Sequence, residues 1–445
     1  MPDVLVIGAG VAGLSAAVRL AGAGARVLVL EARPTSGGRA GAYRDPATGE
    51  VVDNGQHVLL GCYHETLAFL RQIDAANRVR WQAGLAVTMI DRGGRQSTLA
   101  CPPLPSPWHL VGGVVAWDGL GLGERLSIAG IAGPLARAQR ALARGEDPGA
   151  EARGVTVRAW LERHGQAPRL CEMLWEPLAL AALNQPIDLA EASHFLGVLA
   201  RMFSPEPSDA ALVVPACPLD ALYVEPAVRF VRAQGGEVRT HAPARLVIDK
   251  GRVTGVRVRD EHLAAPIVIA AVPWFGLRGL FDEVPASMAA IVDGAARRAA
   301  SPIVTVNLWF DRPVMEGPIV GLPGRAFQWV FDKAQVFADG ARHLSLVSSG
   351  AAEVAAMTNA RIIATAVAEI GGALPAARRA TLRRATAVRE RLATFSLAAG
   401  EPPRPPTRTP VPGLLLAGDW IETGLPATIE SAVVSGHRAA AEAGR

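Results

Sequence analysis

The chain has 445 residues, a net charge of +4 at pH 7 and a mean hydropathy of +0.23, and half of its residues are hydrophobic. This length allows a large core and predicts two domains. Only Lys250 and Lys333 among the 45 basic residues are lysines, a bias typical of GC-rich coding, and the lack of basic runs argues against a nucleic-acid partner. Four scattered cysteines form no metal-binding pattern, so we expect no metal site and predict buried thiols in a reducing compartment.

The first 30 residues are apolar enough to imitate a signal peptide or a membrane span. They lack a basic leading region and contain several glycines, which predicts a strand, a turn and a helix instead. No other stretch reaches about 18 uninterrupted apolar residues. We therefore expect a cytoplasmic protein that spans no membrane, and the sequence leaves open a peripheral contact with the inner face of the plasma membrane.

The N-terminus carries a glycine turn between a predicted strand, residues 4–7, and a predicted helix. The turn reads GAGVAG and contains Gly8, Gly10 and Gly13. Such glycines allow a tight turn, a close approach of the backbone to a pyrophosphate and tight packing of helix on strand. A second predicted strand ends at Glu31, where a ribose hydroxyl needs an acceptor. Together these features predict a dinucleotide-binding site.

A second group of small and basic residues follows the acid. Arg33 is followed by the sequence SGGR, which ends in Gly38 and Arg39. A further glycine pair with an arginine suits a cofactor whose phosphate region is bulkier or longer than in the nicotinamide case. The next polar stretch, DNGQHVLLG at residues 53–61, contains Gly55 and Gln56.

The middle of the chain predicts a third part of the same domain. Residues 222–234 have helical spacing, 245–248 and 253–258 flank an Asp-Lys-Gly turn and predict a hairpin, and 267–271 predict a buried strand. The apolar segment 106–138 has two interpretations: helices in the core of a second domain, or a surface that contacts a membrane or admits a lipid.

The glycines at 119, 121 and 123 have GxG spacing but no preceding strand, so we do not interpret them as a nucleotide site. The chain then has no dedicated NAD(P)H domain, and an external partner must donate or accept electrons.

Near the C-terminus an apolar run that begins at Leu414 predicts a strand and ends in Gly418 and Asp419, after a proline-rich connector. A helix is predicted to begin at Thr428 and Ile429. A strand end beside a helix N-terminus places backbone N–H groups and one carboxylate around a polar ligand.

These first, middle and last segments resemble the FAD-binding region of the flavin amine oxidase and phytoene desaturase superfamily. The resemblance implies an α/β fold, in which an FAD-binding Rossmann-like domain of the GR2 type carries a second, α+β substrate domain. The implied FAD domain is discontinuous and consists of residues 1–95, 207–272 and 405–445. The substrate domain would take residues 96–206 and 273–404.

The same resemblance implies a set of FAD-binding residues. Asp419 would bind the ribityl or pyrophosphate part, Ala244 would offer backbone groups to the adenine, and the N–H groups near Ile429 would face the pyrimidine oxygen and favour the reduced, anionic ring. The full set is Gly8, Gly10, Gly13, Glu31, Arg33, Gly38, Arg39, Gly55, Gln56, Ala244, Gly418, Asp419, Thr428 and Ile429.

Three stretches look like those of the squalene-associated FAD-dependent desaturases, the hydroxysqualene dehydroxylases of hopanoid biosynthesis: DNGQHVLLG, WEPLALAALN at residues 175–184 and GDWIETGLPATIE at residues 418–430. One departure is Ser431, where superfamily members often have glycine. The resemblance implies a long isoprenoid substrate and an external electron donor. The implied reaction removes an allylic hydroxyl as water and replaces it with hydride from reduced FAD.

The leaving hydroxyl needs an acid, and the sequence offers two candidates. His57 titrates in a useful range, although it could instead hydrogen-bond the flavin or its own loop. Glu176 stands in an apolar helix that would keep it protonated, although it could instead cap a helix or pair with an arginine.

Three rival functions stay open. An oxidative carotenoid or phytoene-type desaturase would move hydride the other way at a similar flavin site. A flavin amine oxidase often has a lysine near flavin N5, and neither Lys250 nor Lys333 looks suitably placed. A non-catalytic prenyl or lipid carrier would have lost flavin-binding features that are intact here.

Overall fold

The computed structural model describes residues 1–105, 107–337 and 342–444. Ser106, the first residue of the apolar segment 106–138, and Arg445, the last residue of the expected FAD domain, lie outside the described residues.

The strands, in chain order, are β1 (Val4–Ile7), β2 (Val27–Leu30), β3 (Ala42–Arg44), β4 (Val51–Asp53), β5 (Leu59–Leu60), β6 (Val79–Trp81), β7 (Ala86–Ile90), β8 (Gln96–Ala100), β9 (Leu212–Pro215), β10 (Glu237–Arg239), β11 (Ala244–Asp249), β12 (Arg252–Val258), β13 (Glu261–Ala264), β14 (Ile267–Ala270), β15 (Ala300–Phe310), β16 (Ile319–Gly321), β17 (Trp329–Asp332), β18 (His343–Ser348), β19 (Leu382–Phe395) and β20 (Leu414–Leu416).

The α-helices are α1 (Val11–Gly22), α2 (His64–Gln72), α3 (Trp108–Ala116), α4 (Leu122–Leu126), α5 (Ala132–Ala143), α6 (Val157–Arg163), α7 (Pro168–Leu170), α8 (Glu176–Leu183), α9 (Ala192–Met202), α10 (Glu225–Ala233), α11 (Ala289–Arg297), α12 (Lys333–Val336), α13 (Ala352–Ala356), α14 (Asn359–Ala373), α15 (Pro375–Arg379) and α16 (Ile429–Ala443). A π-helical turn, Cys171–Trp175, joins α7 to α8.

A five-stranded parallel sheet in the order β10-β2-β1-β14-β20 unites three distant parts of the chain. Its central strands are buried on both faces, because α1 and α16 cover one face and the three-stranded sheet β11-β12-β13 covers the other. Parallel pairing brings the C-terminal ends of β1, β2 and β20 to one edge. The predicted α/β fold class is therefore confirmed.

A second sheet of seven strands, in the order β19-β15-β18-β17-β16-β7-β8, faces the first domain. One face of the long strand β15 packs against α14 through Val304, Val306 and Leu308. Strands β7 and β8 belong to this sheet, although β7 falls within residues 1–95, the segment that the resemblance implies for the FAD domain. Their alternating apolar pattern predicts strands but carries no information about which sheet they join.

Two local predictions of the middle segment are confirmed. The predicted hairpin is β11-β12, and its turn residues Lys250 and Gly251 both have positive φ, 48° and 76°. The predicted helix 222–234 is α10 with a preceding π-helical turn, Asp220–Val224.

The apolar segment after residue 106 is partly buried and partly exposed, and its contact with a membrane or a lipid stays a prediction. Leu110, Val114 and Trp117 are buried in the main core, whereas Trp108 and Leu122 are exposed. The four cysteines are free thiols, but only Cys171 is fully buried, which corrects the expectation for Cys62, Cys101 and Cys217.

Candidate functional site

A cavity of about 690 Å³ lies between the two large sheets. All but one of the residues expected at the cofactor line it, and so does His57. The cofactor-site residues in its wall are Gly8, Gly10, Glu31, Arg33, Gly38, Arg39, Gly55, Gln56, Ala244, Gly418, Asp419, Thr428 and Ile429. Gly13 lies directly behind this wall, on the first turn of α1.

The backbone packs so closely around the glycine turn that a larger residue would clash with it. A Cβ atom at Gly13 would lie 1.9 Å from the carbonyl oxygen of Gly8, and one at Gly8, whose φ is +103°, would lie 2.5 Å from the Ala271 carbonyl oxygen. A Cβ atom at Gly38 would lie 3.1 Å from the Cα atom of Gly10. Both glycine segments therefore meet, and they form a backbone cradle with the shape that a dinucleotide pyrophosphate requires.

Glu31 braces this cradle. Its buried carboxylate accepts hydrogen bonds from the backbone N–H groups of Ala9, at 2.8 Å, and Arg33, at 2.9 Å. A carboxylate has further lone pairs to offer, so the same group can also accept from a ribose hydroxyl at the cavity surface.

Arg39 and Asp419 join the first and last segments. Their ion pair measures 2.5 Å, and the side chains are 22% and 7% exposed. The Arg39 guanidinium also donates to the Ala393 carbonyl and lies over the ring of Trp274. The pair fixes the end of β20 against the second glycine segment.

The start of helix α16 points into the same cavity. The Thr428 hydroxyl caps the helix by accepting from the Ser431 N–H at 3.1 Å. The Ser431 hydroxyl in turn donates to the Asp419 carbonyl at 3.0 Å. Ser431, the departure from the superfamily pattern, thus ties the Asp419 loop to the helix, and the positive helix end faces the cavity at Ile429.

His57 lines the cavity next to Gly55 and Gln56 of the expected cofactor site. Its Nδ1 atom lies 2.9 Å from the Gly55 carbonyl oxygen, and burial lowers the pKa of the imidazole. A neutral ring in this position donates from Nδ1 and keeps Nε2 as an acceptor. His57 therefore holds no spare proton at neutral pH and needs a supply of protons before it can act as an acid.

Lys333 is a residue whose importance the sequence did not reveal. Its ammonium is 1% exposed, pairs with Asp53 at 3.2 Å, donates to the Gln56 amide oxygen and lies over the Phe337 ring. These contacts hold the 54–58 loop from behind the cavity wall. Two features of the sequence could have drawn attention to Lys333: lysine is rare in this chain, and Lys333 directly follows a buried strand.

Glu176 does not reach the large cavity. Its neighbours Trp175 and Pro177 line that cavity, but the Glu176 side chain faces a smaller one of about 210 Å³, together with Arg158. Burial raises the pKa of Glu176, as expected. The sequence placed the acid in the right helix, but it could not show which side of the helix faces the cavity.

The remaining cavity wall contains a few polar side chains, those of Asn54, Asn184, Ser349, Glu390 and Thr394. Most of this wall is apolar and comes from the second sheet and the helices after residue 108. It includes Leu85, Met89, Leu99, Leu110, Leu178, Trp329 and Phe331. Asn184, the last residue of the WEPLALAALN stretch, ends α8 with a φ of 50° and bonds the Ser301 carbonyl, the Thr394 hydroxyl and the Gly350 N–H. That stretch therefore anchors a cavity wall to the sheet.

Within the described ranges, no helix combines the length and apolar character needed to cross a membrane.

Comparisons with known proteins agree with this geometry. The family of flavin-containing amine oxidoreductases matches residues 11–443. Hydroxysqualene dehydroxylase of Sinorhizobium fredii is 31% identical, with 98% of this chain and 97% of that protein covered. Hydroxysqualene dehydroxylase of Rhodopseudomonas palustris has the same identity and coverage. The 15-cis-phytoene desaturase of Synechococcus elongatus is 24% identical, with 97% and 94% covered.

Solved structures share the fold. An oxidoreductase from Methanosarcina mazei has a TM-score of 0.76 at 18% identity, covering 98% of this chain and 99% of that one. Wild-type putrescine oxidase has a TM-score of 0.74 at 18% identity, covering 99% and 98%. The chain thus belongs to the flavin-containing amine oxidoreductase family and is an FAD-dependent oxidoreductase.

Proposed function

We propose that the protein reductively removes the allylic hydroxyl group of hydroxysqualene to give squalene. The observation that carries the proposal is a single cavity whose wall combines the dinucleotide cradle, His57 and many apolar side chains. The similarity to hydroxysqualene dehydroxylases supports it. FAD, when bound and reduced, supplies the hydride, and its electrons come from an external donor.

In this proposal the residues around the cradle bind FAD. The glycine turns at Gly8, Gly13 and Gly38 admit the pyrophosphate, and Glu31 accepts from the adenosine ribose. Asp419, held by Arg39, binds the ribityl or pyrophosphate part. The positive N-terminal end of α16 at Ile429 lines the cavity and would stabilise negative charge on the reduced flavin. Ala244 lies in the cavity wall at the start of β11 and would contact the adenine.

The two parts of the fold then divide the work. The parallel sheet, built from the N-terminal, middle and C-terminal segments, would form the FAD domain, and the seven-stranded sheet with helices α3 to α9 would form the substrate domain. Because β7 and β8 pair in the seven-stranded sheet, we propose a first boundary before residue 86 instead of at residue 95.

The apolar chamber suits a long hydrocarbon. Burial of each CH₂ group contributes about 0.8 kcal/mol, so a thirty-carbon substrate gains much of its affinity from this wall. The same wall excludes water from the allylic centre, where a positive charge develops as the hydroxyl departs. Trp329 and Phe331 offer aromatic rings that can stabilise such a cation.

The chain's own contribution to the chemistry lies at His57. The hydroxyl leaves as water only if it receives a proton, and His57 is a titratable side chain in the cavity wall. Protonation of its Nε2 atom would turn the imidazole into a strong acid, because burial lowers its pKa. Glu176, which faces another cavity, is not proposed as a proton donor.

We also propose a peripheral contact with a lipid surface. Large apolar side chains of the α3–α4 region are exposed: Leu104, Trp108, Val115, Leu122 and Leu126. We call these five residues the apolar patch. Helix α3 connects the patch to the chamber, because Leu110 on its inner side lines the cavity. A substrate that dissolves in lipid would need to travel only across this helix layer.

An anaerobic experiment tests the proposed reaction. Photoreduced holoenzyme mixed with hydroxysqualene should yield squalene as the flavin absorbance at 450 nm returns, in one-to-one stoichiometry. Recovery of unchanged hydroxysqualene with a flavin that stays reduced would refute the proposal. Conversion of phytoene by the oxidised enzyme would support the oxidative desaturase instead.

A further inference from the structure

One face of the seven-stranded sheet carries polar side chains in its interior. On β15, Val304, Val306 and Leu308 point into the apolar core, whereas Thr305 and Asn307 alternate to the opposite face. Both are 0% exposed. An interior position favours apolar residues, because burial of a polar group without a partner is unfavourable. Two fully buried polar side chains on successive inward positions are therefore unusual.

Neighbouring strands continue this polar face. Asn307 lies opposite Ser345 of β18 and Thr386 of β19, and the next inward position of β15 lies opposite His343 and Arg384. We call these side chains the polar row, which consists of Thr305, Asn307, His343, Ser345, Arg384 and Thr386.

Many polar atoms of this face have no partner within the protein. In the described part of the chain, fourteen buried side-chain nitrogen and oxygen atoms lack a hydrogen bond, and eight of them lie on this face. They belong to Thr305, Asn307, Trp309, Trp329, His343, Arg384 and Thr386. The Tyr43 phenol is directed at Asn307 and Thr386 but does not meet hydrogen-bond geometry with either.

Such atoms indicate bound water. An unsatisfied buried polar group is costly, and proteins generally satisfy groups of this kind with internal water molecules. Eight such atoms lie together on this one sheet face. The polar row therefore has the character of a hydrated channel.

The row lies between the loop that carries Gly55 and His57 and the protein surface. At its inner end, a Cβ atom at Gly55 would lie 3.8 Å from the Thr305 hydroxyl and 3.9 Å from Cε1 of His57. At its outer end, His343 pairs with Glu50 at 2.9 Å and Arg384 with Asp45 at 2.5 Å. The Arg384 side chain is 31% exposed. The four residue steps along β15 from Thr305 to Trp309, which lies opposite His343 and Arg384, span about 14 Å.

We propose that the polar row is a water-filled path that carries protons from the surface to His57. This inference rests on the proposed function. In that reaction the C–O bond breaks with its electron pair on oxygen, hydride from reduced FAD brings two electrons to the carbon, and one proton on the oxygen completes the departing water. His57 gives that proton from Nε2 and regains it through water at Thr305. His57 is neutral at rest and needs a proton, but the apolar chamber excludes the bulk water that could deliver one. The path would supply that proton from the other side.

Thr305→Val tests the path with little change of shape. In single turnovers of prereduced holoenzyme with saturating hydroxysqualene, the variant should reoxidise its flavin at least tenfold more slowly than wild type, with a larger solvent deuterium isotope effect. Thr305→Ser, which keeps the hydroxyl, should restore most of the rate. Thr98→Val, at an exposed position of β8, is the matched control and should match wild type.

The same experiment separates the two proposals. If wild type yields no squalene, the proposed function fails; if wild type reacts and Thr305→Val reacts equally fast with the same isotope effect, the path is overturned. A crystal structure of the oxidised holoenzyme gives a test that needs no substrate. Ordered waters hydrogen-bonded to Thr305 and Asn307 support the path, and a dry row overturns it.

Discussion

Arg39 and Asp419 stand 380 residues apart in the chain and form an ion pair of 2.5 Å in the wall of the cofactor cavity. The pair holds the loop after β20 against the second glycine segment. Arg39→Met should lower FAD affinity at least tenfold, because it removes a cation beside the cofactor and leaves the buried Asp419 carboxylate uncompensated. Flavin absorbance retained after gel filtration, and titration of the apoprotein with FAD, measure the effect.

Arg26→Met is the matched control for that experiment. Arg26 pairs with Asp3 at 2.8 Å, but its side chain is 67% exposed and lies outside the cavity wall. Exposed pairs contribute little, so this variant should bind FAD as wild type does. Equal FAD affinity in both variants would show that the Arg39–Asp419 pair has no part in holding the cofactor.

The glycine turn predicts a second contrast. A Cβ atom at Gly13 would lie 1.9 Å from the Gly8 carbonyl oxygen, whereas one at Gly123 meets no atom within 4 Å. Gly13→Ala should therefore abolish FAD binding by pushing the cradle out of shape, and Gly123→Ala should leave it unchanged. The two variants also test the interpretation that the GxG pattern at residues 119–123 is not a nucleotide site. A Gly123→Ala protein that lacks bound flavin would contradict that interpretation.

The cofactor cradle could be predicted from sequence because its requirements are local. A strand, a glycine turn and a helix follow one another within residues 4–22, and an acid follows at Glu31. Each local choice has a steric reason that spacing alone reveals. The C-terminal counterpart at Gly418 and Asp419 was equally readable, because its strand, loop and helix are also consecutive.

Sequence spacing does not reveal which side of a helix or strand faces a given neighbour in the fold. Glu176 was placed in the correct helix, yet the side chain turns away from the large cavity. Strands β7 and β8 alternate as strands should, but pairing with β16 is a long-range choice. Lys333 acquires its role only when α12 approaches the 54–58 loop, a contact across more than 270 residues.

The two acid candidates now make different predictions. His57→Gln should slow the single-turnover reoxidation of prereduced enzyme by hydroxysqualene at least tenfold, because His57 lines the large cavity and is the proposed proton donor. Glu176→Gln should stay within twofold of wild type, because Glu176 faces the smaller cavity. Stopped-flow absorbance at 450 nm gives both rates. The reverse order of effects would return the acid role to Glu176.

The charge state of His57 depends on two neighbours of opposite sign. Burial is the main cause of its lowered pKa, the Asp53 carboxylate and the Gly55 carbonyl act to raise it, and the Lys333 ammonium lowers it further. Lys333→Met should therefore raise the pKa of His57, and Asp53→Asn should lower it. Histidine-selective NMR titration measures both, with the His57→Gln spectrum assigning the signal. Shifts of the same sign in the two variants would contradict this electrostatic picture.

The apolar patch makes the last prediction, on lipid contact. Leu122 and Leu126 are 71% and 57% exposed on α4, so replacing both with asparagine should leave the fold intact and remove apolar area from the surface. Wild type should co-sediment with phosphatidylglycerol vesicles, and the double variant should lose at least five-sixths of that binding while retaining its FAD spectrum. Leu189→Asn, at a 54% exposed site outside the patch, controls for general loss of surface apolarity and should bind as wild type does. Equal sedimentation of all three proteins would place the lipid contact elsewhere, and a lack of wild-type binding would show that hydroxysqualene reaches the chamber without docking to vesicles of this composition.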